Sequence, residues 1–218
     1  MPRMRFDIDQ LDPARSYKLL TATVVPRPIA WVVSADAAGL LNAAPYSFFN
    51  CFGGHPPVVG IGLGRHKRGP KDTLANIQAR GEFVVNLVSE ALAPAMNTTA
   101  VDFPADWNEL EQAGLATVPS HVVSVPRIAD SPVALECRLW QVIALPPSST
   151  LVLAQVVAVH ITDDAVLDAE RCHVDSARLQ LVGRMQSPGG YTRTADGFQL
   201  RQQGFEQWLA AQGGSQAP

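Results

Sequence analysis

VALECRLWQVIAL spans Val133 to Leu145, and TLVLAQVVAVHIT spans Thr150 to Thr162. Both runs are rich in β-branched and large apolar residues, and neither contains glycine or proline. Pro146-Pro147-Ser148-Ser149 lies between them. Length, composition and turn residues together predict one long antiparallel hairpin. Alternation along its first strand puts Glu136 and Arg138 on one face and Leu135, Cys137 and Leu139 on the other.

Upstream, Ile29 to Ser34 reads as a strand. Asp36-Ala37-Ala38-Gly39 is a turn, and Leu40 to Ser47 is the returning strand. Val58 to Leu63, Glu82 to Val88 and a short Val122 to Val125, stopped by Pro126, are further strands. Helices are expected where caps surround short polar-apolar runs. The first opens at Asp12-Pro13 and runs through Leu20. A second covers Asp72 to Arg80, capped by Asp72 or Thr73 and stopped by Gly81. Others are Leu92 to Met96, an acidic segment from Asp106 to Gly114, and Gly204 to Gln212 with Phe205, Trp208 and Leu209 on one side. Leu179 to Arg184 is a last short element. Strands at short intervals with brief helices predict a β-barrel with added helices rather than βαβ units. Residues 1–200 form the barrel domain in this reading. Residues 201–218 supply a terminal helix and a disordered tail.

The chain has 218 residues, 47% of them hydrophobic, which suits a globular core. A net charge of −3 argues against nucleic acid as the partner. No apolar run approaches the roughly 20 residues that cross a bilayer, and the arginine-bearing start lacks the apolar core of a secretory signal. Three widely spaced cysteines make no disulfide framework, so a reducing cytoplasm is the expected location.

Chemistry concentrates between Asn42 and Asn76, NAAPYSFFNCFGGHPPVVGIGLGRHKRGPKDTLAN. A polar-aromatic segment, Tyr46-Ser47-Phe48-Phe49-Asn50, precedes a Gly-Pro break. A basic loop, Arg65 to Lys71, precedes a helix start. Flat aromatic surface beside positive charge suits a ligand with a planar ring at one end and a phosphate at the other. In strict alternation, one of Phe48 and Phe49 faces the core and the other a pocket or partner. The basic loop is either a solvated face or an anion site. The latter draws on the free N–H groups and dipole of the helix N-terminus, for which a capping Asp72 would compete and to which Thr73 could offer its hydroxyl. Gly60-Ile61-Gly62-Leu63-Gly64 lacks the full dinucleotide pattern and a following helix, so close backbone approach is the better reading. Gly64 and Gly69 have P-loop spacing, but Pro70 stands where the lysine belongs. The histidines have no metal-ligand spacing, Cys51 reads as a packing residue, and there is no G-x-S-x-G elbow.

These segments resemble the flavin reductase-like, FMN-binding split-barrel family. The matching residues are Tyr17-Lys18-Leu19-Leu20, Pro26-Arg27-Pro28-Ile29-Ala30-Trp31-Val32, Asn42 to Asn50, Pro56-Pro57, Lys71 to Asn76 and Glu82 to Leu87. Ser131 to Cys137, Gly183-Arg184 and Tyr191 to Thr194 follow. The resemblance covers roughly residues 15–195. It is nearest to the reductase components of two-component monooxygenases, such as the nitrilotriacetate type. It implies a mainly β fold, a six-stranded antiparallel Greek-key split β-barrel with short peripheral helices. It further implies a homodimer with FMN, or alternatively FAD, near the subunit interface. NADH or NADPH would be the electron donor and a flavin-dependent monooxygenase a partner.

Carried over by position, Tyr46, Ser47, Phe48, Phe49 and Asn50 would lie along the flavin ring and ribityl chain, with backbone groups meeting the ring edge. Lys71, Asp72 and Thr73 would lie at the phosphate, with Arg27 a further candidate. Arg184 and Tyr191 would complete the site, from either subunit. No side-chain acid, base or metal is required, because hydride transfer belongs to the cofactors. Three rival readings stay open. One is an FMN protein serving another acceptor, ferric iron or a protein. The second is a non-enzymatic anion-binding module, and the third a scaffold without cofactor.

Overall fold

The computed structural model describes residues 1, 3–65, 69–186 and 188–213. The run AWVVSA, apolar but for Ser34, forms β1 (Ala30–Ala35), and every residue of it is buried. Period-two alternation explains why. Trp31 and Val33 join one core with Val84, Met96, Leu110, Val123 and Ile128. Ala30 and Val32 join a second with Phe49, Ile61, Leu63, Ile77, Phe83, Val85 and Val152. A strand with a core on each side has no solvent face to pattern, so it reads as almost continuously apolar.

The remaining strands of the main sheet are β2 (Leu41–Tyr46), β3 (Phe49–Gly54), β4 (Pro57–Gly64), β5 (Glu82–Leu87), and two long strands downstream. Two short pairs, β6 (Thr117–Val118) with β7 (Arg127–Ile128), and β10 (Val166–Asp168) with β11 (His173–Val174), lie outside it. The predicted hairpin is present as β8 (Val133–Leu145) and β9 (Ser149–Ile161), antiparallel with two bulges. Another small pair, β12 (Val182–Arg184) and β13 (Tyr191–Arg193), closes the list. The helices are α1 (Pro13–Thr23), α2 (Asp72–Arg80), α3 (Ala93–Thr98), α4 (Glu109–Gln112) and α5 (Phe205–Gly213). None of the described helices is long and apolar enough to cross a membrane.

The sheet runs β2-β1-β5-β8-β9-β4-β3, seven strands where six were expected. The extra strand comes from the division of residues 41–54 at Ser47-Phe48. Its first half pairs with β1 and its second with β4, at opposite edges of the sheet. Six inter-strand gaps of ~4.8 Å would separate those edges by about 29 Å if the sheet were flat. Three residue steps from Tyr46 to Phe49 reach at most about 11 Å. The sheet must therefore roll up, bringing its two edges end to end at the break without a ladder between them.

Other departures are local. No strand forms over Val122–Val125. The N–H groups of His121, Val122 and Val123 instead converge on the Glu136 carboxylate, at 2.6, 2.6 and 2.9 Å. Cys137 packs with Leu135 and Leu139 as alternation predicts, and Glu136, on the other face with Arg138, has no exposed surface because the 121–123 loop lies over it. The acidic helix shrinks to α4, and the Gly-rich run after Phe49 is a strand. The tail beyond residue 213 and the basic residues His66, Lys67 and Arg68 lie outside the described residues.

Candidate functional site

At the break between β2 and β3 the backbone leaves the ladder. The Phe48 carbonyl accepts from the Gly62 N–H at 2.6 Å. The N–H and C=O of Ser47 and the N–H of Phe48 have no backbone partner among the described residues. Phe49 turns into the core at 9% exposure, while Phe48 stands at 43% beside Tyr17, ring centroids 6.1 Å apart. This is the split expected of adjacent strand residues. Asn50 is exposed, and its side-chain oxygen accepts the Cys51 N–H.

The N-terminus of α2 faces the same end of the sheet. Lys71 is its N-cap, with no side-chain capping bond, so Asp72 is the first helical residue and does not cap as expected. The Leu74 and Ala75 N–H groups bond the Lys71 carbonyl, and those of Asp72 and Thr73 have no partner among the described residues. Gly81, left-handed at φ 72°, ends the helix as predicted. Between α2, β2 and residues 99–105 lies a cavity of about 400 Å³, lined by Asn42, Tyr46, Lys71, Asp72, Thr73, Asp102, Phe103 and Glu109 among others.

A directed hydrogen-bond chain crosses its wall. The Tyr46 hydroxyl donates to Thr73 Oγ1 at 2.9 Å, and Thr73 donates to Asn42 Oδ1 at 2.7 Å. The Asn42 amide donates to Glu109 Oε1 at 2.8 Å, and the Ala43 N–H to Oε2 at 3.0 Å. Thr73 is buried and its one hydroxyl hydrogen is spent, so the hydroxyl offers an anion nothing in this arrangement. Burial pushes the Tyr46 hydroxyl up to about 12, with Asp72 and Glu109 adding to the rise against the Thr73 bond. Burial likewise holds the Glu109 carboxyl above the ordinary carboxylate range, helped by Asp72 and opposed by the Ala43 and Asn42 donors.

The other anticipated residues form a second group. Arg27 is buried and works as a clamp. It donates to the carbonyls of Thr21, Val24 and Met185 at 2.7–2.8 Å, and its Nε reaches Ser47 Oγ at 3.4 Å. Burial lowers its pKa, and nearby Arg184 adds to this. Its backbone pairs with Arg184, whose guanidinium carbon sits 4.6 Å from the Tyr191 ring centroid. Tyr46, Lys71, Asp72 and Thr73 thus line the cavity, while Arg27, Ser47, Arg184 and Tyr191 gather beside it. Sequence reasoning passed over Glu109, which sits in an acidic run like any solvated helix face, and the 99–105 segment, which carries no motif.

Residues 22–175 match the family described as flavin reductase like domain. The chain belongs to that family. An uncharacterized protein of Deinococcus radiodurans is 46% identical to this flavin reductase-like chain over 213 residues, 95% of this chain and 93% of the other. Among solved structures, 2-nitrobenzoate 2-nitroreductase of Pseudomonas fluorescens is 37% identical. Its TM-score is 0.85, covering 93% of this chain and 98% of that one. Nitrilotriacetate monooxygenase component B of Bacillus cereus is 30% identical at TM-score 0.86, over 92% and 100%.

Proposed function

We propose that this flavin reductase-like protein is an NAD(P)H-dependent FMN reductase, a cytoplasmic homodimer whose reduced flavin serves a separate monooxygenase. The observation that carries the reading is a coincidence at one end of the rolled sheet. The N–H and C=O of Ser47 and the N–H of Phe48, without a backbone partner among the described residues, stand near a helix N-terminus flanked by Lys71. The first matches the alternating donors and acceptors of a polar ring edge, and the second a phosphate. FMN carries one of each, and a 400 Å³ cavity lies within the usual range for a small-molecule site. Bound FMN would supply the chemistry, taking a hydride from a nicotinamide nucleotide.

The residues of the chain hold and orient. The Ser47 and Phe48 N–H groups would favour negative charge developing on a ring edge. Phe48 and Tyr17 offer an apolar shelf. Arg27 fixes the break by tying Ser47 to α1 and to the β12–β13 pair. Phe52 and Trp140, both exposed near Leu153 on the outer face of the sheet, suit a contact with a second copy. A second reading, in which flavin stays bound and reduces an aromatic nitro compound, draws on the likeness to the 2-nitroreductase.

The test is NADH and NADPH oxidation by the purified protein with FMN, FAD, 2-nitrobenzoate or no acceptor, beside its absorbance spectrum. Turnover raised by free FMN supports the reductase. Turnover that needs 2-nitrobenzoate and a yellow protein favours the second reading. A colourless protein that neither binds flavin nor oxidises either nucleotide overturns both. Lys71→Ala is expected to weaken FMN about tenfold, the size of one charge-assisted hydrogen bond, while leaving riboflavin unchanged. Equal losses for both would remove Lys71 from the phosphate.

A further inference from the structure

The described groups around the cavity are predominantly acidic. Lys71 stands against Asp72, Asp102 and Glu109. A phosphate placed at the α2 N-terminus would meet these carboxyls at close range, and Glu109 is wired to the cavity wall through the Asn42 amide and the Ala43 N–H. Asp72 is free of such a chain, and Glu111, on the same helix as Glu109, points away to the Asn108 amide. Tyr46, the remaining titratable group on β2, stays neutral at its raised value.

The chain Tyr46–Thr73–Asn42–Glu109 runs one way because an ionised carboxylate can only accept. Glu109 therefore makes Asn42 present its amide hydrogens to it and its oxygen to Thr73. Thr73 must donate to that oxygen, and Tyr46 must donate to Thr73. Both hydroxyl hydrogens are consumed inside the wall, and only lone pairs are left for a ligand. A proton from solvent on Glu109 Oε1 reverses every link. Oε1 then donates to Asn42 Oδ1 after the amide turns, and Asn42 Nδ2 donates to Thr73 and faces Ser34 Oγ, which gives up its own bond to Asn42 Oδ1. Thr73 donates to the Tyr46 oxygen, and the Tyr46 hydrogen is released toward the cavity. The Ala43 N–H still reaches Oε2 in either state.

We infer that Glu109 is a positioning residue that sets the anion affinity of this cavity. Ionised, it opposes a phosphate by charge and by pointing the hydroxyl hydrogens away; neutral, it removes the charge and turns the Tyr46 hydroxyl into a donor. The inference rests on the phosphate reading of the α2 N-terminus given above. Glu109→Gln mimics the neutral state, having one donor and one acceptor in the same shape.

The experiment measures Kd for FMN and riboflavin with wild type and Glu109→Gln from about pH 5 to about pH 8, a span above the ordinary carboxylate value. Using the ratio of the two proteins cancels titration of the FMN phosphate itself, near pH ~6. For FMN, the wild-type to variant Kd ratio should rise from near one at the acid end to on the order of tenfold at the alkaline end. For riboflavin it should stay flat. A pH-independent FMN ratio, or an equal change for riboflavin, overturns the role of Glu109. Should the variant not fold, inorganic sulfate, which keeps its charge over this range, serves as competitor against wild type. Sulfate inhibition that weakens as pH rises supports the role, and constant inhibition overturns it. If wild type binds FMN no more tightly than riboflavin and sulfate does not compete, the phosphate site itself fails and Glu109 falls with it. FMN binding tighter than riboflavin with a flat ratio removes Glu109 alone.

Discussion

Glu136 carries a charge with none of its surface exposed, and the loop over it depends on that charge. Burial alone would raise its pKa. The N–H groups of His121, Val122 and Val123, together with His160 Nε2 at 2.6 Å, outweigh burial and hold the carboxyl at about 2. The folded value lies below the unfolded one, so the unfolded chain binds the proton more readily. The stabilisation is therefore complete above the ordinary carboxylate value and is lost as pH falls toward 2. Urea midpoints taken across that window should fall steeply for wild type and more gently for Glu136→Gln. The variant should lose on the order of 3 kcal/mol near neutral pH, since its amide faces backbone donors. Equal slopes in the two proteins would assign the acid sensitivity elsewhere. Alternation places Glu136 on one face with Arg138 and holds, but a pattern of period two has no way to register the distant 121–123 loop that buries that face. Thr73 makes the same point at the site. Its hydroxyl was read as a helix-end donor, yet its partner Asn42 lies 31 residues away.

At the scale of elements, what reads locally forms locally. α2 spans the predicted residues and stops at Gly81, although Lys71 rather than Asp72 or Thr73 holds its N-cap position. Asp12 and Pro13 open α1 as predicted, with Asp12 accepting the Arg15 N–H at 2.9 Å. β3 was not anticipated, because Asn50-Cys51-Phe52-Gly53-Gly54 has little strand propensity. It exists because β4 offers a floor of Gly60 and Gly62 on which the Phe52 and Phe48 side chains lie. Added Cβ atoms there would fall 2.6 Å from the Phe52 ring and 3.0 Å from Phe48 Cβ. Close approach, not nucleotide binding, accounts for those glycines. A sharper case is Gly183, where a Cβ would sit 2.8 Å from the rigid Pro26 ring. Gly183→Ala should cost about 1–3 kcal/mol by overpacking. It should also loosen the Arg27–Arg184 bridge, read as faster amide exchange at both residues. Unchanged exchange would mean that Pro26 yields without disturbing the clamp.

For the whole molecule, the rolled sheet leaves aromatic surface outside. Phe52 and Trp140 are 63% and 58% exposed, more than their size warrants in an isolated protomer. Sedimentation of the wild type should show a dimer, and Phe52→Ser with Trp140→Ser should shift it to monomer. A monomeric wild type removes the homodimer, and a dimer that survives the double change moves its interface elsewhere. The long hairpin, the strand-rich class and the mainly apolar β1 were legible because they express period, length and turn chemistry. The α2 start and its lysine were legible because helix ends announce themselves within a few residues. The seventh strand, the edge-to-edge meeting at Ser47-Phe48 and the wiring of Glu109 to Tyr46 were decided only in three dimensions. Each depends on which distant segments the rolled sheet brings within hydrogen-bond reach, and that is a property of closure rather than of any local run of residues.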